Sequence, residues 1–274
     1  MQTVDPDRLE GVDLRLRVPR DQVPDALNRL GLITRPARRR RIHPIDETPP
    51  AAGGSGSLLA PLARRGLTIT LRTGGSLPQV TVRLQPVRAA QLTSAARPES
   101  ADDGETPHLR EDWNGSEQAL FATLTAAPPA AGALPVAPGP TAGVPLPASS
   151  LPALLTAGQR SFLTGWAGVA PPSRLSLLGP LDEQRWTLRA HGAQLLVRRW
   201  SSPGSPVTEP GPDRFDELEL LRPVPAADAP FLRPVFAALA RRLGLDPDTP
   251  AEPLPQRAAR HLTADAAARA WRQR

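Results

Sequence analysis

Two short runs near opposite ends of the chain alternate aliphatic and charged residues with a period of two. They are Val12-Asp13-Leu14-Arg15-Leu16-Arg17-Val18 and Phe215-Asp216-Glu217-Leu218-Glu219-Leu220. That period predicts β-strands with one apolar and one charged face. In a lone strand the charged face ordinarily meets water. Several such strands also fit a second arrangement, in which apolar faces pack under helices and charged faces line a polar lumen. Further strands are expected at Leu67–Arg72, Gln79–Val87, Trp186–Ala190 and Gln194–Trp200, with weaker signals at Arg41–Ile45 and Leu109–Trp113. A period of 3.6 predicts helices at Gln22–Leu30, Ser150–Trp166, Ala227–Leu243 and Leu254–Arg274. Ser149 or Ser150 would cap the second, Gly244 would end the third, and the last would break near Thr263.

The intervening segments are rich in Gly, Pro and Ser. Residues 126–150 read as an Ala/Pro/Gly connector between two half-sheets inside a single domain spanning 1–274; 51–57, 95–107 and 201–213 read as loops. No internal repeat is visible. The fold class expected is α+β, an antiparallel sheet in two halves with flanking helices.

Composition narrows the chemistry. The chain has no cysteine, which excludes disulfides and thiolate metal ligands and predicts a cytoplasmic setting. No signal peptide and no apolar run of transmembrane length are visible. The net charge is +6, and all 33 basic residues are arginine. Abundant Ala, Pro, Arg and Leu fit a G- and C-rich genome, so the basic balance argues only weakly for a polyanionic partner. The absence of lysine excludes a Schiff base and leaves anion binding to guanidinium forks. The four histidines show no metal-ligand spacing, and no P-loop or Gly-x-Ser-x-Gly elbow is present. The run Arg38–Arg41 reads as a solvated loop that attracts nucleic acid without specificity.

The polar faces of the expected strands carry Thr68, Thr70, Arg72, Gln79, Thr81, Arg83, Arg185, Arg189 and Arg198 beside Asp13, Glu111, Glu217 and Glu219. Arginines suit phosphate oxygens, and paired carboxylates suit a hard divalent cation.

In chain order these segments resemble the CYTH domains, or triphosphate tunnel metalloenzymes. Gly11-Val12-Asp13-Leu14-Arg15 stands where the family has Glu-x-Glu-x-Lys. Ile45-Asp46-Glu47-Thr48-Pro49 is similar to its turn motif, and Gly66 with Ile69-Thr70-Leu71-Arg72 to its Gly and Leu-Arg-Ile-Arg step. Val80-Thr81-Val82-Arg83, Arg110-Glu111, Gln184-Arg185-Trp186 and Phe215 to Leu221 complete the series. The resemblance implies an eight-stranded antiparallel tunnel-like barrel that binds a small-molecule triphosphate or polyphosphate and hydrolyses it with Mg²⁺ or Mn²⁺. It implies phosphate contacts from Arg15, Arg72, Arg83, Arg110 and Arg185. Metal ligands would be Asp13, Glu111, Glu217 and Glu219, the last two serving catalysis. The chain departs from the pattern at Gly11, at the shorter Asp13, at Thr70 and at Leu221, and Arg198 or Arg199 replaces a usual aspartate. These departures set a second reading beside the first: a non-catalytic phosphate-binding or scaffold protein that has lost the metal. A third is a nucleic-acid-associated protein using its arginine-rich surface.

Overall fold

The computed structural model describes residues 9–47, 61–87, 107–129, 144–146, 154–168, 175–190, 193–205, 214–249 and 252–272. The expected Ser149 or Ser150 cap, the loop 51–57, and most of 95–107, 126–150 and 201–213 lie outside them. Among the described residues no helix is long and apolar enough to cross a membrane.

The fold is α+β. Its strands are β1 (Val12–Val18), β2 (Arg38–Glu47), β3 (Leu67–Thr73), β4 (Gln79–Leu84), β5 (His108–Asn114) and β6 (Glu117–Ala126). After them come β7 (Val144–Leu146), β8 (Leu175–Leu177), β9 (Leu181–Ala190), β10 (Ala193–Ser201) and β11 (Asp216–Val224). Helices are α1 (Val23–Arg29), α2 (Pro61–Arg64), α3 (Ala157–Gly165), α4 (Ala229–Arg242) and α5 (Leu254–Arg272). Hydrogen-bonded neighbours follow the order β3-β4-β6-β5-β1-β11-β10-β9-β2-β8-β7, with β3 also pairing β2. Among the described residues nine strands run from β3 to β2 in this order, one more than the eight expected. The sheet is mixed rather than antiparallel, because β1 runs parallel to β5, with Asp13 opposite Asp112.

The chain divides into two compact units. The first comprises 1–40, 109–121 and 181–254, and the second 41–108, 122–180 and 255–274. In the first, β1 and β10 both pair antiparallel with β11, and β9 with β10. The alternation of β1 sends Val12, Leu14, Leu16 and Val18 into one core with Leu218, Leu220, Val197, Leu195 and Trp186. Val23 and Leu27 of α1 and Phe236 and Ala240 of α4 join that core. Each Val, Leu or Phe side chain of this core contributes about 1.5–3 kcal/mol by leaving water. Arg199 bonds Asp216 through Nε at 2.8 Å and Nη2 at 2.6 Å, and both residues are buried.

In the second unit β3 pairs with β2 and β4, β4 with β6, and β8 with β2 and β7. Here α3 begins with a capping box: Thr156 accepts from the Gln159 N–H while Gln159 accepts from the Thr156 N–H. The buried Gln159 amide also donates to the Val80 carbonyl at 2.9 Å, tying α3 to the sheet. Gly66 has φ +76°, and its carbonyl accepts from the Gln85 N–H at 2.8 Å.

Several expectations change. The described part of the middle helix starts at Ala157 after a break at Leu155 and Thr156, and the last helix runs unbroken through Thr263, whose hydroxyl donates to the Ala259 carbonyl. Arg38–Arg41 forms the first part of β2 rather than a loop. Gln79 starts a strand that stops at Leu84. Residues 144–146, inside the expected connector, form β7 against β8.

Candidate functional site

On β1 the aliphatic residues go to the core, so alternation leaves Asp13, Arg15 and Arg17 on the opposite face. On β11 the same rule puts Glu217, Glu219 and Leu221 on that face, with Arg15 opposite Leu221 and Arg17 opposite Glu219. On β10 and β9 it puts Arg198 and Arg185 there, directly opposite one another. This face is not a wetted one. Asp13 is 7% exposed, Arg15 3%, Asp112 1% and Glu219 1%.

Such burial requires compensation, and it is found in ion pairs. Arg15 Nε donates to Asp112 Oδ1 at 2.8 Å, and its Nη1 donates to Glu219 Oε1. The second Glu219 oxygen accepts from Arg198 Nη2. Arg110 donates to Asp13 Oδ1 through Nη2 at 2.7 Å and Nε at 3.0 Å. At the more open edge Arg17 makes a two-pronged pair with Glu217, at 3.0 and 3.1 Å. Burial disfavours the Arg15 charge, but Asp112 and Glu219 outweigh it and hold that guanidinium above its ordinary pKa.

Two nitrogens on these arginines are buried without a partner: Arg15 Nη2 and Arg198 Nε. Beside them Arg185 has no carboxylate in ion-pair contact among the described residues. Its pKa is lowered by burial first, then by the charge of Arg198, with Arg40 and Arg38 adding to the effect against Glu183. This corner of the first unit sets Arg185, Arg198, Arg40 and Arg38 against one buried carboxylate, Glu183, which accepts from the Trp200 indole N–H.

Of the residues singled out by sequence, Asp13, Arg15, Arg110, Arg185, Glu217 and Glu219 lie on this one face. Glu111 does not. It shares the parity of Trp113, whose indole N–H donates to it at 2.8 Å, and Trp113 packs against the apolar core. The carboxylate that β5 brings to the polar face is Asp112. Asp112 is therefore the carboxylate that the sequence reading missed, and Arg198, which it placed on a polar face without a role, joins the same face. Arg72 and Arg83 belong to the second unit, on the β3 and β4 face that also carries Thr68, Thr70 and Thr81. There Arg83 donates to Gln85 Oε1 at 2.6 Å.

A divalent cation of the Mg²⁺ or Mn²⁺ type needs several carboxylate oxygens turned toward one point. This donor set does not fit one. Asp13, Asp112, Glu217 and Glu219 are each engaged by guanidinium groups, and among the described residues no three His, Asp or Glu side chains lie together as ligands. At Gly11 an added Cβ would lie 2.6 Å from the Val224 carbonyl oxygen and 3.2 Å from the Arg110 guanidinium, so a further carboxylate has no room to start there.

No family model and no curated protein matches the sequence. Solved structures do match the fold. A Bacillus halodurans protein named as a candidate adenylate cyclase is similar over 91% of this chain and 97% of its own, with TM-score 0.51 and 12% identity. A Hippeastrum candidate adenylyl cyclase, described as having a dominant triphosphatase activity, is similar over 86% of this chain and 88% of its own, with TM-score 0.46 and 12% identity.

Proposed function

We propose, from the premise that this chain is a divergent CYTH-like protein, that its first unit binds the anionic chain of a triphosphate-bearing small molecule through guanidinium groups. The observation that carries this reading is the pair of buried, unpartnered donors, Arg15 Nη2 and Arg198 Nε, on two arginines that hold the same carboxylate. A buried N–H left without an acceptor costs about 1–3 kcal/mol, and a phosphate oxygen is the acceptor that best returns it. Arg185 adjoins them with the field of Arg198, Arg40 and Arg38 behind it, which favours a ligand of several negative charges over a single one. The fold-sharing Bacillus halodurans protein is named for a reaction on a nucleoside triphosphate, which agrees with that ligand class. Hydrolysis is no part of the proposal, since Glu217 and Glu219 are both held by arginines.

Calorimetry with tripolyphosphate and orthophosphate tests it. Tripolyphosphate binds the wild-type protein more tightly than orthophosphate does, and Arg185→Met weakens it by about tenfold, the scale of one charge-assisted hydrogen bond. An Arg185→Met protein that binds as wild type does, or a wild-type protein that binds neither anion, overturns the reading.

A further inference from the structure

Glu219 is, with Asp112, one of the two most enclosed carboxylates named on the polar face, and each of its oxygens already has a cation. Arg15 takes one and Arg198 the other. After these bonds each arginine keeps one buried nitrogen with no partner, Nη2 on Arg15 and Nε on Arg198. A cation bound between a carboxylate and an anionic ligand neutralises the first and presents its remaining charge to the second. A guanidinium carries a single charge: Arg198 neutralises Glu219, its unpartnered Nε remains as a donor of fixed direction, and the surplus positive charge comes from Arg185 opposite it. The neighbouring carboxylates give no other opening: Asp112 is bonded by Arg15 and Asp13 by Arg110. The backbone at Gly11 leaves no room for another acidic side chain.

We infer that the Arg198 guanidinium stands in place of a divalent cation at Glu219, so that this face takes a triphosphate-class anion without metal and disfavours its Mg²⁺ chelate. The inference rests on the anion-binding reading above and adds to it the ionic form of the ligand. A chelated triphosphate has lost part of its negative charge and brings a second cation toward Arg15 and Arg198, and both effects weaken binding.

The test pairs two titrations, on wild type, Arg198→Met, Glu219→Gln and the Arg198→Met/Glu219→Gln double variant, with thermal melting to show that each is folded. In the first, tripolyphosphate is titrated in EDTA and in excess Mg²⁺. Wild type binds in EDTA and loses affinity severalfold in Mg²⁺, while Arg198→Met loses about tenfold in EDTA and regains part of it with Mn²⁺. The regain is absent from the double variant. In the second, Mn²⁺ alone is followed by its electron paramagnetic resonance signal, and wild type does not bind it. Tripolyphosphate binding that requires a divalent cation overturns the inference. So does wild-type Mn²⁺ binding that Glu219→Gln abolishes, or a folded Arg198→Met protein with unchanged affinity and no response to Mn²⁺. If tripolyphosphate binds under neither condition, the anion-binding reading fails and the Mn²⁺ titration decides this inference by itself. Should Arg198→Met fail to fold, Arg198→Lys keeps the charge without the fork; it binds in EDTA with reduced affinity, and a divalent requirement in that variant overturns the inference equally.

Discussion

His43 and Asp46 lie three residues apart on β2, are 1% and 2% exposed, and shift in opposite senses. Burial, helped by the charge of Arg41, lowers the His43 pKa to about 4. Burial raises that of Asp46 to about 6, against the pull of backbone N–H groups from Leu62 and Glu47. Between pH 4 and 6.5 the unfolded chain protonates His43 while the folded chain keeps it neutral, so that residue makes stability rise with pH. Between pH 4 and 6 the folded chain keeps Asp46 protonated while the unfolded chain ionises it, so that residue makes stability fall. Each slope is about 1.4 kcal/mol per pH unit and the two nearly cancel. Denaturant unfolding as a function of pH will show this. Relative to wild type, Asp46→Asn gains stability as pH rises from 4 to 6, and His43→Leu loses it. Parallel curves for all three proteins would refute the opposed pair. Arg199 and Asp216 give a second expectation at this scale. Asp216→Ala leaves a buried guanidinium without its carboxylate and lowers unfolding free energy by about 3–5 kcal/mol, readable as a shift in denaturant midpoint.

Among elements, β1 was fully legible, with the same bounds in sequence and structure, because its alternation is strict from Val12 to Val18. β6 was not, because Ala119, Ala122, Thr123 and Thr125 leave a run without clear contrast between its faces. β5 was half legible. Leu109 and Trp113 share a parity, which was enough to send Arg110 and Asp112 to the other side and Glu111 to theirs; motif order alone pointed to Glu111 instead. Gly66 shows what such order does carry. Its φ is +76°, and a Cβ there would lie 2.0 Å from the Gln85 carbonyl oxygen. Gly66→Ala must therefore separate β3 from the end of β4, at a cost of at least about 2 kcal/mol. The milder Thr156→Ala removes half of the capping box of α3 and costs about 1 kcal/mol. Thermal melts that rank the two in reverse order would contradict the strain assigned to Gly66.

For the whole molecule, the net charge of +6 says less than where the charge stands. On the polar face of the first unit Arg15, Arg17, Arg110 and Arg198 are matched by Asp13, Asp112, Glu217 and Glu219. This balance could not be read from sequence, because it depends on the antiparallel register of β1 with β11 and on the parallel pairing of β1 with β5. The excess stands at Arg185 and along β2, where alternation sends Arg38 and Arg40 one way and Arg39 and Arg41 the other. Two kinds of anion binding should therefore separate by parity. Arg38→Ser/Arg40→Ser removes charge that acts on Arg185 and weakens tripolyphosphate binding severalfold. Arg39→Ser/Arg41→Ser removes exposed charge that is not among the charges acting on Arg185, so it lowers nonspecific duplex DNA binding and flattens its salt dependence while leaving tripolyphosphate affinity unchanged. Competition titrations across a range of salt concentrations read both effects together. If the two double variants change both ligands equally, the arginines of β2 act as one diffuse surface, and a directed anion site beside Arg185 is excluded.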